Sequence, residues 1–176
     1  MTKQTIQAIL SDSRVITELS AQASELYEQS RFGSLLKDGR IELSFLEALY
    51  LMEKERLVIV NNRGKPLKYE QFFKKAKKEK HFWPRYCTFR DIRDRGYIIK
   101  TALKFGADFR VYERGVKPGD DHAKWIVFPV KETEHLTWYD FAAKNRVAHS
   151  TKKRLLIAIV DEEGDVTYYE IRWLRP

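Results

Sequence analysis

Alternating apolar and polar residues predict short strands in the first half of the chain. One run begins at Thr5 and the next at Arg14, on either side of turn residues at 11–13. A further apolar run, LVIV at 57–60, is closed by a turn. The strands predicted in this way cover residues 5–10, 14–19, 24–30 and 57–60.

Start and stop signals predict four helices. The segments SFLE at 44–47 and TWYD at 137–140 have the spacing of a capping box, in which two residues satisfy each other's backbone donors in the first turn. Pro84 in a first turn and Gly96 just beyond the last turn bracket another helix. The predicted helices cover residues 45–55, 69–80, 85–95 and 138–149.

The second half of the chain is richer in strands. In one of them, alternation turns Phe109 and Val111 to one face and Arg110 and Tyr112 to the other, so Tyr112 is expected on the polar side. The most hydrophobic strand of this half is LLIAIV, which follows a basic cluster and precedes an acidic turn. The predicted strands cover residues 97–101, 108–113, 124–130, 155–160 and 166–174.

Composition indicates a globular protein with a polyanionic partner. The chain has 176 residues, of which 43% are apolar and 33% charged, an ordinary balance for a folded chain. Its net charge of +8 favours nucleic acid first and an anionic membrane surface second. The single cysteine, Cys87, excludes an intrachain disulfide and fits a reducing compartment. Without an apolar run of signal-peptide or membrane-span length, we expect a soluble, cytoplasmic protein.

The helix predicted at 69–80 concentrates part of this positive charge. Its period turns one set of side chains inward and three lysines outward. The inner set is Phe72, Phe73 and Ala76, and the outer set is Lys74, Lys77 and Lys78. Such a row is usually a solvated face, although it is also suited to contact nucleic-acid phosphates.

Several catalytic motifs are absent from the sequence. It has no phosphate-binding loop, no paired cysteines for zinc and no acid-x-Lys pair of the kind that metal-dependent nucleases often carry on a strand. Its four histidines are scattered without ligand spacing. We therefore expect no metal site.

Three other residues have the chemistry that RNA cleavage requires. That reaction needs a base for the 2′-hydroxyl proton, an acid for the leaving 5′-oxygen and a positive charge for the transition state. Tyr112, His122 in a Gly/Pro-rich loop and Lys153 before the strand LLIAIV form such a set. Histidine suits the acid role at neutral pH, whereas tyrosine is a poor base without a cation nearby. Each residue also has a non-catalytic interpretation. Tyr112 is one of nine tyrosines, His122 could be a solvent-exposed loop residue, and Lys153 is one of three adjacent cations.

Two long segments resemble the catalytic domain of archaeal tRNA-splicing endonucleases. RDIRDRGYIIKTALKFGADFRVYERG at 90–115 has the family's Arg-Gly-Tyr, Gly-Ala-Asp-Phe and Tyr-Glu-Arg-Gly motifs. RVAHSTKKRLLIAIVDEEGDVTYYEI at 146–171 has Val-Ala-His-Ser, a basic pair and Leu-Leu-Ile-Ala. SFLEALYLMEKERLVI at 44–59 resembles the family's N-terminal domain.

The resemblance implies a two-domain α/β (α+β) protein. We place the boundary between two predicted helices, near residues 81–84. A small mixed N-terminal domain at 1–83 would then precede a nuclease-like C-terminal catalytic domain at 84–176, with a central mixed sheet flanked by helices.

The resemblance also implies the role of each residue. Tyr112 would be the general base, His122 the general acid and Lys153 the cation that stabilises the transition state, although Lys152 and Arg154 leave the register to be tested. The enzyme would need no metal or other cofactor. It would cut precursor tRNA at bulge-helix-bulge junctions and leave 2′,3′-cyclic phosphate and 5′-hydroxyl ends.

Recognition in this family is by RNA shape, and splayed bulge bases suit stacking on guanidinium or aromatic groups. The family's base-contacting arginine corresponds to Arg146, and its second stacking residue to Trp173 or Arg172. Arg146 is equally consistent with a phosphate contact or an exposed helix position.

The acidic turn after LLIAIV has two interpretations. It reads as a solvated hairpin turn, whereas in the family this loop inserts into a basic cleft of a neighbouring subunit. Its acidic residues are Asp161, Glu162, Glu163 and Asp165.

The short chain, one complete triad and this intact turn favour a homotetramer over the catalytic subunit of a heterotetramer. The alternative from another class is a non-catalytic RNA-binding or structural subunit, for which positive charge and Arg146 suffice.

Overall fold

The computed structural model describes residues 5–174. The chain divides into two compact units, Met1–Phe82 and Trp83–Pro176. Two mixed five-stranded sheets are present, and the described residues form five α-helices. This mixed architecture confirms the predicted fold class. None of the helices in the described part of the chain is both long and apolar enough to cross a bilayer.

The first unit contains a sheet with the strand order β3-β4-β2-β1-β5. Its strands are β1 (Ile6–Ser11), β2 (Arg14–Thr17), β3 (Ser34–Leu35), β4 (Ile41–Leu43) and β5 (Leu57–Val60). Only the β1–β5 pair is parallel. The helices of this unit are α1 (Ala21–Ser30), α2 (Phe45–Glu53) and α3 (Tyr69–Ala76).

The strand predicted at 24–30 is wrong, because these residues belong to α1. The Ser20 side chain caps the helix by accepting a hydrogen bond from the backbone N–H of Ala23, at 3.2 Å. Ala23 and Leu26 are buried and lie three residues apart, which is the spacing of one helix face. The cap and this spacing together favour a helix over the weak alternation of the same residues.

The capping box predicted for α2 is confirmed. The Glu47 N–H donates to Ser44 Oγ at 3.3 Å, and the Ser44 N–H donates to Glu47 Oε2 at 3.0 Å. Glu47 is buried, and its Oε1 also accepts from the Gly33 N–H at 2.8 Å. One carboxylate therefore joins the start of α2 to the segment before β3.

The second unit contains a sheet with the strand order β10-β9-β8-β7-β6. Its strands are β6 (Ile99–Thr101), β7 (Phe109–Val111), β8 (Trp125–Lys131), β9 (Arg154–Val160) and β10 (Val166–Ile171). The β8–β9 pair is parallel and the other pairs are antiparallel. Its helices are α4 (Phe82–Asp94), which begins at the unit boundary, and α5 (Trp138–Ser150).

Helices pack on both faces of this second sheet. Phe109 contacts Phe89 of α4, with ring centroids 6.3 Å apart, and Val127 lies beside Phe109 in the ladder. The neighbouring residue Ile126 is buried in a cluster that includes Ala148 of α5. Because successive strand residues point to opposite faces, α4 and α5 cover opposite sides of the sheet.

Candidate active site

The strand directions bring three distant segments to the same end of the strands in the second sheet. β8 and β9 run parallel, so the residues that precede them lie at the same end. β7 runs antiparallel to β8, so the carboxyl end of β7 lies there too. Tyr112 follows β7, His122 lies three residues before β8, and Lys153 directly precedes β9. All three line one cavity of about 350 Å³. The other lining residues are Arg110, Gly119, Asp120, Asp121 and Ala123.

Tyr112 is fixed by the end of the β6–β7 ladder. Its N–H donates to the carbonyl oxygen of Ile98 at 3.0 Å. The guanidinium carbon of Arg110 lies 5.8 Å from its ring centroid, in keeping with the predicted alternation. Tyr112 is nevertheless only 4% exposed, so the expected polar side of β7 is not a solvent-exposed face here. The buried ring has a defined position beside a cation.

His122 is exposed at the end of the loop between β7 and β8. Its backbone N–H donates to the side-chain oxygen Oδ1 of Asp121 at 2.6 Å. Gly119 has φ +104°, a backbone conformation that L side chains rarely adopt, which allows the loop to turn before the histidine. The base of the loop is closed by an ion pair between Lys124 and Glu113. The imidazole is therefore accessible although both ends of its loop are anchored.

Lys153 follows a sharp reversal of the chain. α5 ends at Ser150, and Lys152 has the left-handed φ of +55°. The Lys153 N–H then donates to the Ala148 carbonyl at 2.8 Å, and its Nζ donates to the Thr151 carbonyl at 2.9 Å. Since Thr151 offers a neutral carbonyl, this contact orients the ammonium without neutralising it.

The two neighbouring cations point elsewhere. Lys152 is exposed and does not line the cavity. Arg154 Nη1 lies 3.3 Å from Glu170 Oε1. Trp125 Nε1 also donates to Glu170, at 2.7 Å, and this bond, together with nearby Arg172 and Arg154, lowers the pKa of the carboxyl group to about 2. Of the three adjacent cations, Lys153 is the one that lines the cavity.

The residues expected to stack on RNA bases lie around the end of α5. Arg146 is exposed, and His149 lies three residues later on the same helix face. The Trp173 ring packs edge-on against His149 with centroids 4.8 Å apart, and Trp173 is 53% exposed. Arg172 instead pairs with Glu170, with Nη2 2.8 Å from Oε1. Trp173 therefore presents an exposed ring, whereas the guanidinium of Arg172 is engaged in an ion pair.

The acidic turn joins β9 to β10 as a tight hairpin. The Asp165 N–H donates to Asp161 Oδ1 at 2.8 Å, and the side chains of Glu162 and Glu163 are exposed. Gly164 is buried with φ +89°, and a Cβ at this position would lie 3.1 Å from the ring of Trp83 in α4. The turn backbone is thus packed on α4 while its carboxylates face outward.

The sequence alone did not assign a role to three further residues at the cavity. Strand alternation places Arg110 on the same face as Tyr112, and this pattern could have identified it as a cavity residue. Asp120 and Asp121 have no sequence pattern that indicates a position at the cavity, beyond their place in a Gly/Pro-rich loop. Within residues 5–174, no three His, Cys, Asp or Glu side chains gather as a possible metal-binding group.

Comparison with known proteins identifies the family. The family described as "tRNA intron endonuclease, catalytic C-terminal domain" matches residues 82–168, and "tRNA intron endonuclease, N-terminal domain" matches residues 6–73. A tRNA-splicing endonuclease from Thermococcus onnurineus is 40% identical over 98% of this chain and 99% of its own length. Proteins of the same name from Pyrococcus furiosus and Methanothermobacter thermautotrophicus are 38% and 37% identical, over 98% and 97% of this chain and 99% of each relative. The chain therefore belongs to the tRNA intron endonuclease family.

Proposed function

We propose that this chain is an endoribonuclease that removes introns by cutting precursor tRNA at bulge-helix-bulge junctions. The observation that carries the proposal is the cavity shared by Tyr112, His122 and Lys153 in a member of this family. An RNA strand entering this cavity would meet a phenol, an imidazole and an ammonium from three separate segments. Relatives aligned over almost their whole length have the name tRNA-splicing endonuclease, which supports the same substrate.

The proposed reaction is an internal transfer at phosphorus. Tyr112, as general base in its phenolate form, accepts the proton of the 2′-hydroxyl and becomes a phenol, while the 2′-oxygen forms a bond to the adjacent phosphorus. His122, as general acid in its imidazolium form, donates a proton to the 5′-oxygen as the bond between that oxygen and phosphorus breaks, which leaves a neutral imidazole. The products are a 2′,3′-cyclic phosphate and a 5′-hydroxyl, and no water is consumed.

Lys153 has the electrostatic role in this proposal. Negative charge increases on the non-bridging phosphate oxygens in the transition state, and a preorganised cation stabilises that charge more than a mobile one. The contact from Lys153 Nζ to the Thr151 carbonyl supports such preorganisation. Arg110, which lines the same cavity, supplies a second positive charge. We therefore propose that the reaction requires neither a metal ion nor an organic cofactor.

We further propose that Arg146 and Trp173 hold a bulge base by stacking. Both are exposed near one face of α5, and His149 supports the indole ring from its edge. An exposed guanidinium and an exposed indole suit an unstacked base, because any base presents a π-face to them.

The proposed assembly is a homotetramer in which the acidic turn contacts a basic surface of a neighbouring copy. The outward carboxylates of Glu162, Glu163 and Asp165 support this proposal, since the chain as a whole has a net charge of +8. A heterotetramer with this chain as catalytic subunit is the rival. The solution mass of the purified chain distinguishes them, because four copies are expected for the homotetramer without any other protein.

The direct test is cleavage of a labelled precursor tRNA in EDTA. We expect continued cleavage, with ends that are substrates for a 2′,3′-cyclic phosphodiesterase. His122→Ala should abolish cleavage while retaining RNA binding, and His135→Ala, at another exposed histidine, is the matched control. Full activity of His122→Ala would overturn the catalytic assignment. RNA binding by the wild-type chain with no cleavage would favour the non-catalytic subunit instead.

A further inference from the structure

A second basic site lies in the first unit, on helix α3 and the turn after it. Lys74, Lys75 and Lys78 line a groove of about 640 Å³. Phe72 and Ala76 are buried on the opposite side of the helix, so the groove is outside the apolar core. The other lining residues are Ser13, Phe45, Gln71 and Glu79.

The positive charge of the first unit is concentrated in the segment that supplies the groove lysines. Residues 65–80 contain seven lysines and two glutamates, a net charge of +5. Residues 1–64 contain eight basic and nine acidic side chains, a net charge of −1. The basic character of this unit is therefore a local feature of the α3 region.

The groove is lined by three lysines and one carboxylate, that of Glu79. Among residues 5–174, no carboxylate forms an ion pair with Lys74, Lys75 or Lys78. Lys75 Nζ donates to the backbone carbonyl of Asp12 at 2.5 Å, a neutral acceptor that fixes the ammonium at the wall of the groove. Lys74 and Lys78 line the same groove, so their like charges repel. Three ammonium groups and one carboxylate leave the groove with a net positive charge.

The extent of the basic region favours a polyanion over a compact acidic segment. Cations near a helix C-terminus interact favourably with its dipole, which accounts for lysines in the last turn of α3 but not for the rest. The seven lysines are spread over sixteen residues, so a five-residue acidic turn would leave most of them unpaired. An RNA backbone has regularly spaced phosphates, and lysine binds phosphate as a flexible point charge.

We propose that this groove binds RNA phosphates of precursor tRNA outside the bulge-helix-bulge that is cut. This inference rests on the proposed function, because it takes precursor tRNA as the ligand. The groove adds affinity for the long substrate through Lys74, Lys75 and Lys78 and has no part in bond cleavage.

The test compares two charge-matched triple variants. Lys74→Ala/Lys75→Ala/Lys78→Ala removes the groove lysines. The control, Lys37→Ala/Arg56→Ala/Arg63→Ala, removes three exposed cations of the same unit that lie outside residues 65–80 and do not line the groove. Fluorescence anisotropy measures the Kd across a salt series for a full precursor tRNA with 2′-deoxynucleotides at both cut sites. A short RNA that contains only the bulge-helix-bulge and a few flanking base pairs is the second probe.

Loss of three phosphate contacts should reduce the slope of log K against log salt by about 2.7. Three phosphate contacts should weaken RNA binding roughly 40-fold when salt rises from 50 to 200 mM. The groove variant should therefore lose about this much less affinity than the wild type over the same salt range. We expect the control triple and the short RNA to show no such difference. Thermal unfolding of the groove variant should be unchanged or occur at a higher temperature, since like-charge repulsion is relieved.

Three results would overturn the inference: an unchanged salt slope, an equal loss in the control triple, or an equal loss with the short RNA. A change in the solution mass of the groove variant with an unchanged RNA salt slope would instead mean that the groove receives another copy of the chain. Failure of the proposed function is seen separately, as wild-type protein that leaves an all-ribose precursor intact. The binding comparison does not depend on that cleavage.

Discussion

Replacement of Lys153 by alanine tests the active site most directly. The side chain is half-buried and oriented by the Thr151 carbonyl, so the ammonium lines the cavity before substrate binds. Loss of one preorganised group that stabilises developing negative charge typically reduces kcat by about 10²- to 10³-fold, or about 2.7–4 kcal/mol. We expect a loss in this range for Lys153→Ala, because Arg110 remains in the same cavity and limits the effect.

The fold should tolerate this substitution. The lost side-chain hydrogen bond contributes on the order of 1 kcal/mol, and the contact from the Lys153 N–H to the Ala148 carbonyl is retained. Lys152→Ala is the matched control, because it removes a neighbouring lysine that does not line the cavity. Lys153→Arg keeps the charge but changes its geometry, so we expect partial activity.

The appropriate assay is single-turnover cleavage of a 5′-labelled precursor tRNA at saturating enzyme, because it separates the chemical step from RNA binding and product release. Circular dichroism and anisotropy on the same preparations check folding and binding. A rate for Lys153→Ala within about threefold of wild type would refute the assigned role. An equal loss in Lys152→Ala would show that general positive charge, rather than one oriented ammonium, determines the rate.

Three further substitutions test other parts of the second unit. Gly164→Ala should lower the free energy of unfolding, measured by guanidinium titration, by about 1–2 kcal/mol because of its positive φ, and further because the new Cβ would approach α4 closely. Gly96→Ala is the control, since Gly96 also has a positive φ but a Cβ there would have nothing within 4 Å, and it should show only the backbone effect. The depressed pKa of Glu170, about 2, stabilises the fold above its ordinary pKa of 4.5, and this contribution is lost as pH falls towards 2. Thermal unfolding of Glu170→Gln from pH 7 to pH 2 should therefore show a smaller acid destabilisation than the wild type. Trp173→Ala should raise the Kd for bulged RNA, measured by anisotropy, about 5- to 150-fold, as expected for the loss of one base stack. Arg172→Ala should raise this Kd much less. A larger effect of Arg172→Ala than of Trp173→Ala would assign the stacking to the arginine.

Local signals in the sequence predicted most elements because their causes are local. The capping boxes that start α2 and α5 depend on residues three positions apart, and both are present. The error at 24–30 has the same origin, because the Ser20 cap and the Ala23–Leu26 face are also local signals, and they favour a helix over the short alternation. The short strands β3 and β4 were not predicted, because their pairing is a property of the sheet rather than of their own sequences.

The site itself could not be derived from spacing. Tyr112, His122 and Lys153 are brought together by strand order, above all by the parallel β8–β9 pair, which is separated in sequence by the whole of α5. Composition and residue chemistry named suitable groups, and the resemblance to a family selected among them. The burial of Tyr112 was missed because alternation predicts the face of a strand but not what covers that face.

The register of β9 connects the stability of the second unit with the position of its candidate catalytic cation. Leu155 and Ile157 are buried beneath α5, while Arg154, on the other face, pairs with Glu170. A shift by one residue would turn Leu155 and Ile157 out of the cluster beneath α5 and turn Arg154 into it, so packing against α5 fixes the register. Lys153 lies between the left-handed residue 152, which reverses the chain after α5, and the first residue of β9. The same core that stabilises the sheet thus determines which of three adjacent cations reaches the cavity, although the local sequence treats them alike.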